Sequence, residues 1–245
     1  MEIVYLVLVG FIAGIINTLA GGGSVLTLPM LIFMGLPPAM ANGTNRIGVF
    51  VNTIFGVFGF KSKGVAIVKQ GFYWGLAATL GSVIGALWAV DIKGETFNTI
   101  LGFVILFVVF ITVFKPKVST LIAERLHGKY FWWSMLAFFF IGIFGGFIQA
   151  GTGFFILLVL TQINQLNLVK SNALKLLIVA VYTVAALAIF IYHGQVNWYY
   201  GLILATGQAA GAWLASRWSV KKDDVWIRGF LVVVAIAMAV KLWFF

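Results

Sequence analysis

The sequence predicts an all-α polytopic membrane protein made of two inverted-topology repeats, each a glycine-broken helical hairpin followed by three transmembrane helices. Three observations predict it. Of 245 residues, 62% are hydrophobic and only 9% are charged, with a mean hydropathy of +1.10; a soluble domain carries roughly 25% charged residues, so lipid is the solvent. The apolar segments are far longer than barrel strands and none alternates with period two, so all read as helix. The second half of the chain repeats the pattern of the first, with its basic loops displaced to the opposite position. At about 20 apolar residues per span the length accommodates on the order of eight spans and no separate soluble domain.

In chain order, the apolar segments are 3–34, 47–60, 71–90, 97–114, 131–160, 173–192, 196–216 and 226–245. The opening Met1-Glu2-Ile3-Val4 lacks the basic region of a cleavable signal, so the first segment is expected to belong to the mature protein. That segment and the fifth are too long for one simple span. Each is interrupted by glycine, at Gly21-Gly22-Gly23-Ser24 and at Gly151-Thr152-Gly153, and each reads as a broken element. The polar stretch between Lys115 and Lys129 divides the chain, which gives a first repeat over 1–116, a cytoplasmic linker over 117–130 and a second repeat over 131–245.

The repeat is visible residue by residue. Gly10 and Gly14 answer Gly142 and Gly146, Asn17 answers Gln149, and Asn42 to Arg46 answers Ser171 to Lys175, so a base falls at the same place in both halves. Tyr73-Trp74-Gly75-Leu76 through Gly81 and Gly85 answers Tyr199-Tyr200-Gly201-Leu202 through Gly207 and Gly211, and Gly102-Phe103 answers Gly229-Phe230. The G-x-x-x-G pairs read as helix-packing faces, and Tyr130 to Trp133 and Trp198 to Tyr200 as interfacial belts.

Topology follows from the bases. The net charge of +10, from 16 Lys and Arg against 6 Asp and Glu, reports loops that face the cytoplasm and implies no nucleic-acid partner. Lys61, Lys63 and Lys69, then Lys115 to Lys129, then Lys170, then Arg217, Lys221, Lys222 and Arg228 mark the inner loops, while Asp91 to Glu95 and His193 to Asn197 mark the outer ones. Segments one and five must then begin and end on the same side. The halves are inverted, with both termini outside.

The absences decide the chemistry. All six acids, Glu2, Asp91, Glu95, Glu124, Asp223 and Asp224, lie in loops or at a chain end, both histidines lie in connections, and there is no cysteine. Intramembrane proteolysis, metal ligation and carboxylate proton relays need such groups at depth, so no enzyme, catalytic residue, metal or cofactor is expected. The glycine breaks permit either a tight hairpin or an anion site built from backbone N–H groups at a restarting helix, Thr152 serving as a cap in the second. Arg46 and Lys175 either snorkel to headgroups and anchor topology or lend positive charge to such a site. Asn17 and Gln149 fit best as amides that satisfy the carbonyls of the broken helices.

Gly14-x-x-Asn17-x-x-Ala20-Gly21-Gly22-Gly23-Ser24, Pro29 and Ala41-Asn42-Gly43-Thr44-Asn45-Arg46, with a weaker second-half copy, resemble the sulfite exporter TauE/SafE family of membrane permeases over the whole chain. The resemblance implies a bacterial inner-membrane exporter of sulfite, sulfonates or related sulfur-containing anions. It places Gly21, Gly22, Gly23, Ser24, Asn45 and Arg46 at the substrate path, with Gly151, Thr152, Gly153, Asn172 and Lys175 as second-half counterparts. In the second half Gly-Gly-Gly-Ser becomes Gly-Thr-Gly-Phe and Gly-Thr-Asn-Arg becomes Asn-Ala-Leu-Lys. The expected partners are a small anionic substrate and membrane lipid, with a homo-oligomer left open. The alternatives are an anion channel, which needs no alternating gates, and a structural membrane protein without a transported ligand.

Overall fold

The computed structural model describes residues 2–113 and 123–220. The eighth apolar segment, Lys221, Lys222, Arg228, the Gly229-Phe230 match and most of the central linker lie outside the described residues. Within them there is no strand, and the helices are α1 (Glu2–Leu19), α2 (Ser24–Phe33), α3 (Pro38–Lys61), α4 (Gln70–Val90), α5 (Gly94–Val113), α6 (Lys129–Phe147), α7 (Thr152–Leu158), α8 (Leu168–Tyr192) and α9 (Trp198–Ser219). A π-helical turn, Val159–Ile163, continues α7. Four of these, α1, α4, α6 and α8, are long and apolar enough to cross a membrane. Two helices start earlier than the apolar windows at 47 and 173, because the polar residues Asn42 to Arg46 and Ser171 to Asn172 are buried in helix rather than left in a loop: α3 opens at Pro38 and α8 at Leu168, capped by the Asn167 side chain. At α6 the helix begins two residues inside the linker assigned from sequence, at Lys129.

Glycines set the tightest packing. A Cβ at Gly81 or Gly85 of α4 would overlap the Phe139 or Ile143 carbonyl of α6, and one at Gly142 or Gly146 would overlap Ala78 or Ser82 in return. The same reciprocal contact joins α9 to α1: Gly207 meets Val7, Gly211 meets Phe11, Gly10 meets Leu204 and Gly14 meets Gln208. Backbones this close gain dispersion that lipid tails cannot supply. In both pairs residue numbers rise together, so the helices are parallel.

The same reasoning orders the rest. Gly201 lies on Ile47 and Gly59 on Ser216, so α3 runs with α9; Gly71 lies on Leu174 and Gly75 on Val181, so α4 runs with α8. Between α3 and α8 the order reverses, Gly56 meeting Leu176 and Gly43 meeting Phe190. Helices α1, α3 and α9 therefore point one way and α4, α6 and α8 the other, each set mixing elements from both halves of the sequence. Every major contact has its counterpart under exchange of halves: α1 with α9 for α6 with α4, and α3 with α9 for α8 with α4.

Two ends of the bundle follow. At one, Gly94 approaches Pro38 and Gly43 approaches Gln195. At the other, Val65, Val169 and Val220 close over Phe60, Ala173 and Leu176, and the Arg125 N–H donates to the Asn164 carbonyl. The hairpin α1–α2 enters and leaves at the first end, the hairpin α6–α7 at the second. Trp132, Trp133, Trp198 and Tyr199 are exposed near helix starts, as an interfacial belt requires. Trp74 instead is fully buried against Phe131 and Phe138.

Candidate functional site

At the first break α1 ends at Leu19, Gly21 turns the chain with φ +87°, and α2 restarts at Ser24. A helix that stops inside the bundle leaves carbonyls without partners, and in hydrocarbon no water replaces them. Lys175 of α8 supplies the donors: its Nζ bonds the Asn17 and Thr18 carbonyls, both at 2.9 Å, and the Asn172 Oδ1 at 2.8 Å. Asn45 fixes the restart, donating to the Ser24 hydroxyl at 3.0 Å and accepting from the Thr27 hydroxyl at 2.5 Å.

The second break is built the same way with the halves exchanged. Helix α6 ends at Phe147, Gly151 takes φ +78° and α7 starts at Thr152. Arg46 of α3 reaches across, its guanidinium donating to the Gly145 carbonyl at 3.1 Å and to the Gly146 carbonyl, while stacking 4.6 Å from the centre of the Phe190 ring. Asn42 adds a bond to the Phe147 carbonyl at 2.8 Å. Each half's base thus caps the broken helix of the other half.

Three sequence expectations change here. Arg46 and Lys175 do not snorkel: they are 0% and 1% exposed. The alternative role as surface anchors fails because the helix-end carbonyls are a closer source of negative potential than the headgroups. The Thr152 hydroxyl does not cap α7 but donates backward to the Gln149 carbonyl at 3.1 Å, because Thr152 is already inside the helix. Asn17 and Gln149 do not serve the broken-helix carbonyls, which the bases occupy. Asn17 donates to Asn52 Oδ1 at 2.9 Å and Gln149 to Thr183 Oγ1 at 3.1 Å, pinning each tip to α3 or α8.

The two tips meet. A Cβ at Gly21 would overlap the Gly153 backbone, the reverse holds for Gly153, and a Cβ at Gly22 would lie 2.6 Å from the Phe154 ring. The site residues named from sequence therefore gather around one contact: Gly21 to Ser24 with Asn45 on one side, Gly151 to Gly153 on the other, and Arg46, Asn172 and Lys175 behind them.

The electrostatics of this arrangement are one-sided. Every acid among the described residues is exposed, and the ion pair among them, Lys170 with Glu124, lies at the bundle end. A helix C-terminus carries the equivalent of about half a negative charge, less than the full charge of the base that caps it, so the local sum of base and helix end stays positive. Sequence reasoning missed Asn52, which also bonds the Gly14 and Gln208 carbonyls at 3.1 and 3.3 Å, and Tyr182, fully buried with its hydroxyl over Gly145. Tyr182 follows Lys175 by seven residues, two turns along the same face of α8, which was the available signal in that half; Asn52 follows Arg46 by six and falls on a different face of α3, so no such spacing marked it.

Comparison with known proteins agrees with this architecture. The profile of the family described as Sulfite exporter TauE/SafE matches residues 6–242. A Sinorhizobium protein named "Probable membrane transporter protein ORF9" is 28% identical, the match covering 97% of this chain and 91% of its own. A Haemophilus influenzae protein named "Probable membrane transporter protein" is 29% identical over 96% and 91%, and "Probable membrane transporter protein YfcA" of Escherichia coli K12 is 30% identical over 96% and 87%. No solved structure matches.

Proposed function

Because the chain belongs to the sulfite exporter TauE/SafE family, and is a multi-pass membrane protein, we propose that it exports a small sulfur-containing oxyanion, such as sulfite or an organosulfonate, across the bacterial inner membrane by alternating access. The observation that carries this reading is the pair of fully buried bases, Arg46 and Lys175, with no buried carboxylate among the described residues. A site of that sign attracts anions and repels cations. Backbone N–H groups of Gly22 to Ser24, Gly151 and Gly153 hold the anion, helped by hydroxyls, while those of Gly21 and Thr152 stay bonded to the Ile16 and Gln149 carbonyls and the bases supply potential from behind.

The contact of Gly21 with Gly153 favours a carrier over an open channel, since a ligand enters between the tips only when they part. With no acid at depth among the described residues, a carboxylate proton relay has no members. We read the end of the bundle that gathers Lys61, Lys63, Lys69, Arg125, Lys129, Lys170 and Arg217 as the cytoplasmic one, a reading under which α1 starts on the outer side.

Transport by purified protein in proteoliposomes tests the site. Sulfite or sulfonate flux is saturable in the wild type, falls at least tenfold in Gly22→Leu, whose side chain meets the Phe154 ring, and falls likewise in Arg46→Ala. Unchanged flux in both variants overturns the site, and unitary currents in a planar bilayer would replace the carrier by a channel.

A further inference from the structure

At the cytoplasmic end of α4 and α6 lies a cavity of about 330 Å³, lined by Lys69, Gln70, Tyr73, His127, Phe131 and Trp132. Nothing in the transport path uses it. We propose that it binds the headgroup phosphate of an anionic phospholipid. Three features support that occupant. The charge is right: Lys69 lines the cavity with no acid in its lining, Arg125 and Lys129 lie within two residues of the lining residues His127 and Gly128 in the chain, and the neighbouring acid, Glu124, is committed to Lys170 at 2.6 Å. The depth is right, because exposed Tyr73, Trp132 and Trp133 mark the headgroup level beside it.

The third feature is a track for the acyl chains. From Tyr73 the exposed side chains of α4 continue through Leu76 and Leu80, and from Trp132 those of α6 continue through Leu136 and Phe140. The helices are parallel and their backbones touch at Gly81 and Gly142, so both apolar stripes leave the cavity in the same direction. A free phosphate has no use for such a track.

The chain contains its own comparison. The counterpart pair, α1 and α9, is packed through the same glycines but starts at Glu2 and Trp198, with no Lys or Arg in 1–45 or in 176–216. Two-fold repetition of the packing is therefore kept while, among the described residues, Lys and Arg flank the start of α4 and α6 and not that of α1 and α9; on the proposed sidedness the α4–α6 start faces the inner leaflet, which supplies anionic lipid.

Native mass spectrometry of the intact protein in detergent tests this, with phosphatidylglycerol, phosphatidylcholine and inorganic phosphate as separate probes. Phosphatidylglycerol is expected to be retained in preference to phosphatidylcholine, with inorganic phosphate failing to displace it at equal concentration. Retention should weaken about fivefold in Lys69→Gln, weaken further in the double variant Lys69→Gln/His127→Gln, which also replaces a lining side chain, and stay unchanged in Lys93→Gln, at the other end. Equal retention of the two lipids, equal retention by the double variant Lys69→Gln/His127→Gln, or displacement by inorganic phosphate would overturn the proposal. Transport of a sulfur oxyanion is a separate readout, so loss of either proposal leaves the other standing.

Discussion

Arg46 and Lys175 illustrate how a buried charge is made tolerable without an opposite charge. Burying an isolated base costs several kcal/mol or more, yet each of these meets two helix-end carbonyls that would themselves be stranded in hydrocarbon. Truncating either one strands both. Arg46→Met is expected to destabilise the protein by about 2–5 kcal/mol, at roughly 1–3 kcal/mol per orphaned carbonyl, read as a lowered denaturation midpoint in detergent. Arg46→Lys should cost clearly less, because an ammonium bonds two such carbonyls in the other half, although the stacking on Phe190 is lost. If the two variants melt alike, the capping account of Arg46 is wrong. What the sequence showed of these residues was their matched position. Their partners lie 99 and 158 residues away, and no local pattern specifies a contact at that separation.

Among the elements, the paired G-x-x-x-G helices were legible in advance as packing faces, because small residues four apart fall on one helical face. Which faces join was not legible. Gly81 and Gly85 close on Gly142 and Gly146 rather than on their own repeat copies at Gly207 and Gly211, since the halves interleave. Gly142→Ala puts a methyl into the Ala78 carbonyl and should cost about 1–3 kcal/mol by overpacking. Among the described residues Gly102 of α5 meets nothing within 4 Å of an added Cβ, so Gly102→Ala should leave the protein unchanged or stabilise it by about 0.5–1 kcal/mol through helix propensity. Thermal melts of the two variants in one detergent give the contrast, and equal losses would remove close packing as the reason for these glycines. The early starts of α3 and α8 belong to this scale too. The apolar windows open only after Asn42, Asn45, Arg46 and Asn172, but these side chains find partners inside the bundle and let the helices begin earlier.

For the molecule as a whole, the directions of the helices and the distribution of bases make one prediction of sidedness. The chain contains no cysteine, so single cysteines report without background. Ser62→Cys, beside the bases that close α3, should react with an impermeant maleimide from the cytoplasmic side alone. His193→Cys, at the turn between α8 and α9, should react from the outside alone. Reaction of both from one side would overturn the inverted arrangement. Two sets of three helices, running oppositely and meeting along α3 and α8, are tied together by both bases, since each bonds from one set to the other across that seam. In the proposed transport cycle, parting the Gly21 and Gly153 tips would shift these bonds.

The sequence by itself determined the solvent, the helical class, the two glycine breaks, the matched bases and the exclusion of acids from depth, because each is a property of composition or of spacing along one helix. Only the tertiary structure decided that the breaks touch, that each base serves the opposite half, and that the packing units cut across the repeat. Those depend on which distant surfaces are complementary in shape and hydrogen bonding, and complementarity between surfaces is a property of the packed molecule rather than of any stretch of its chain.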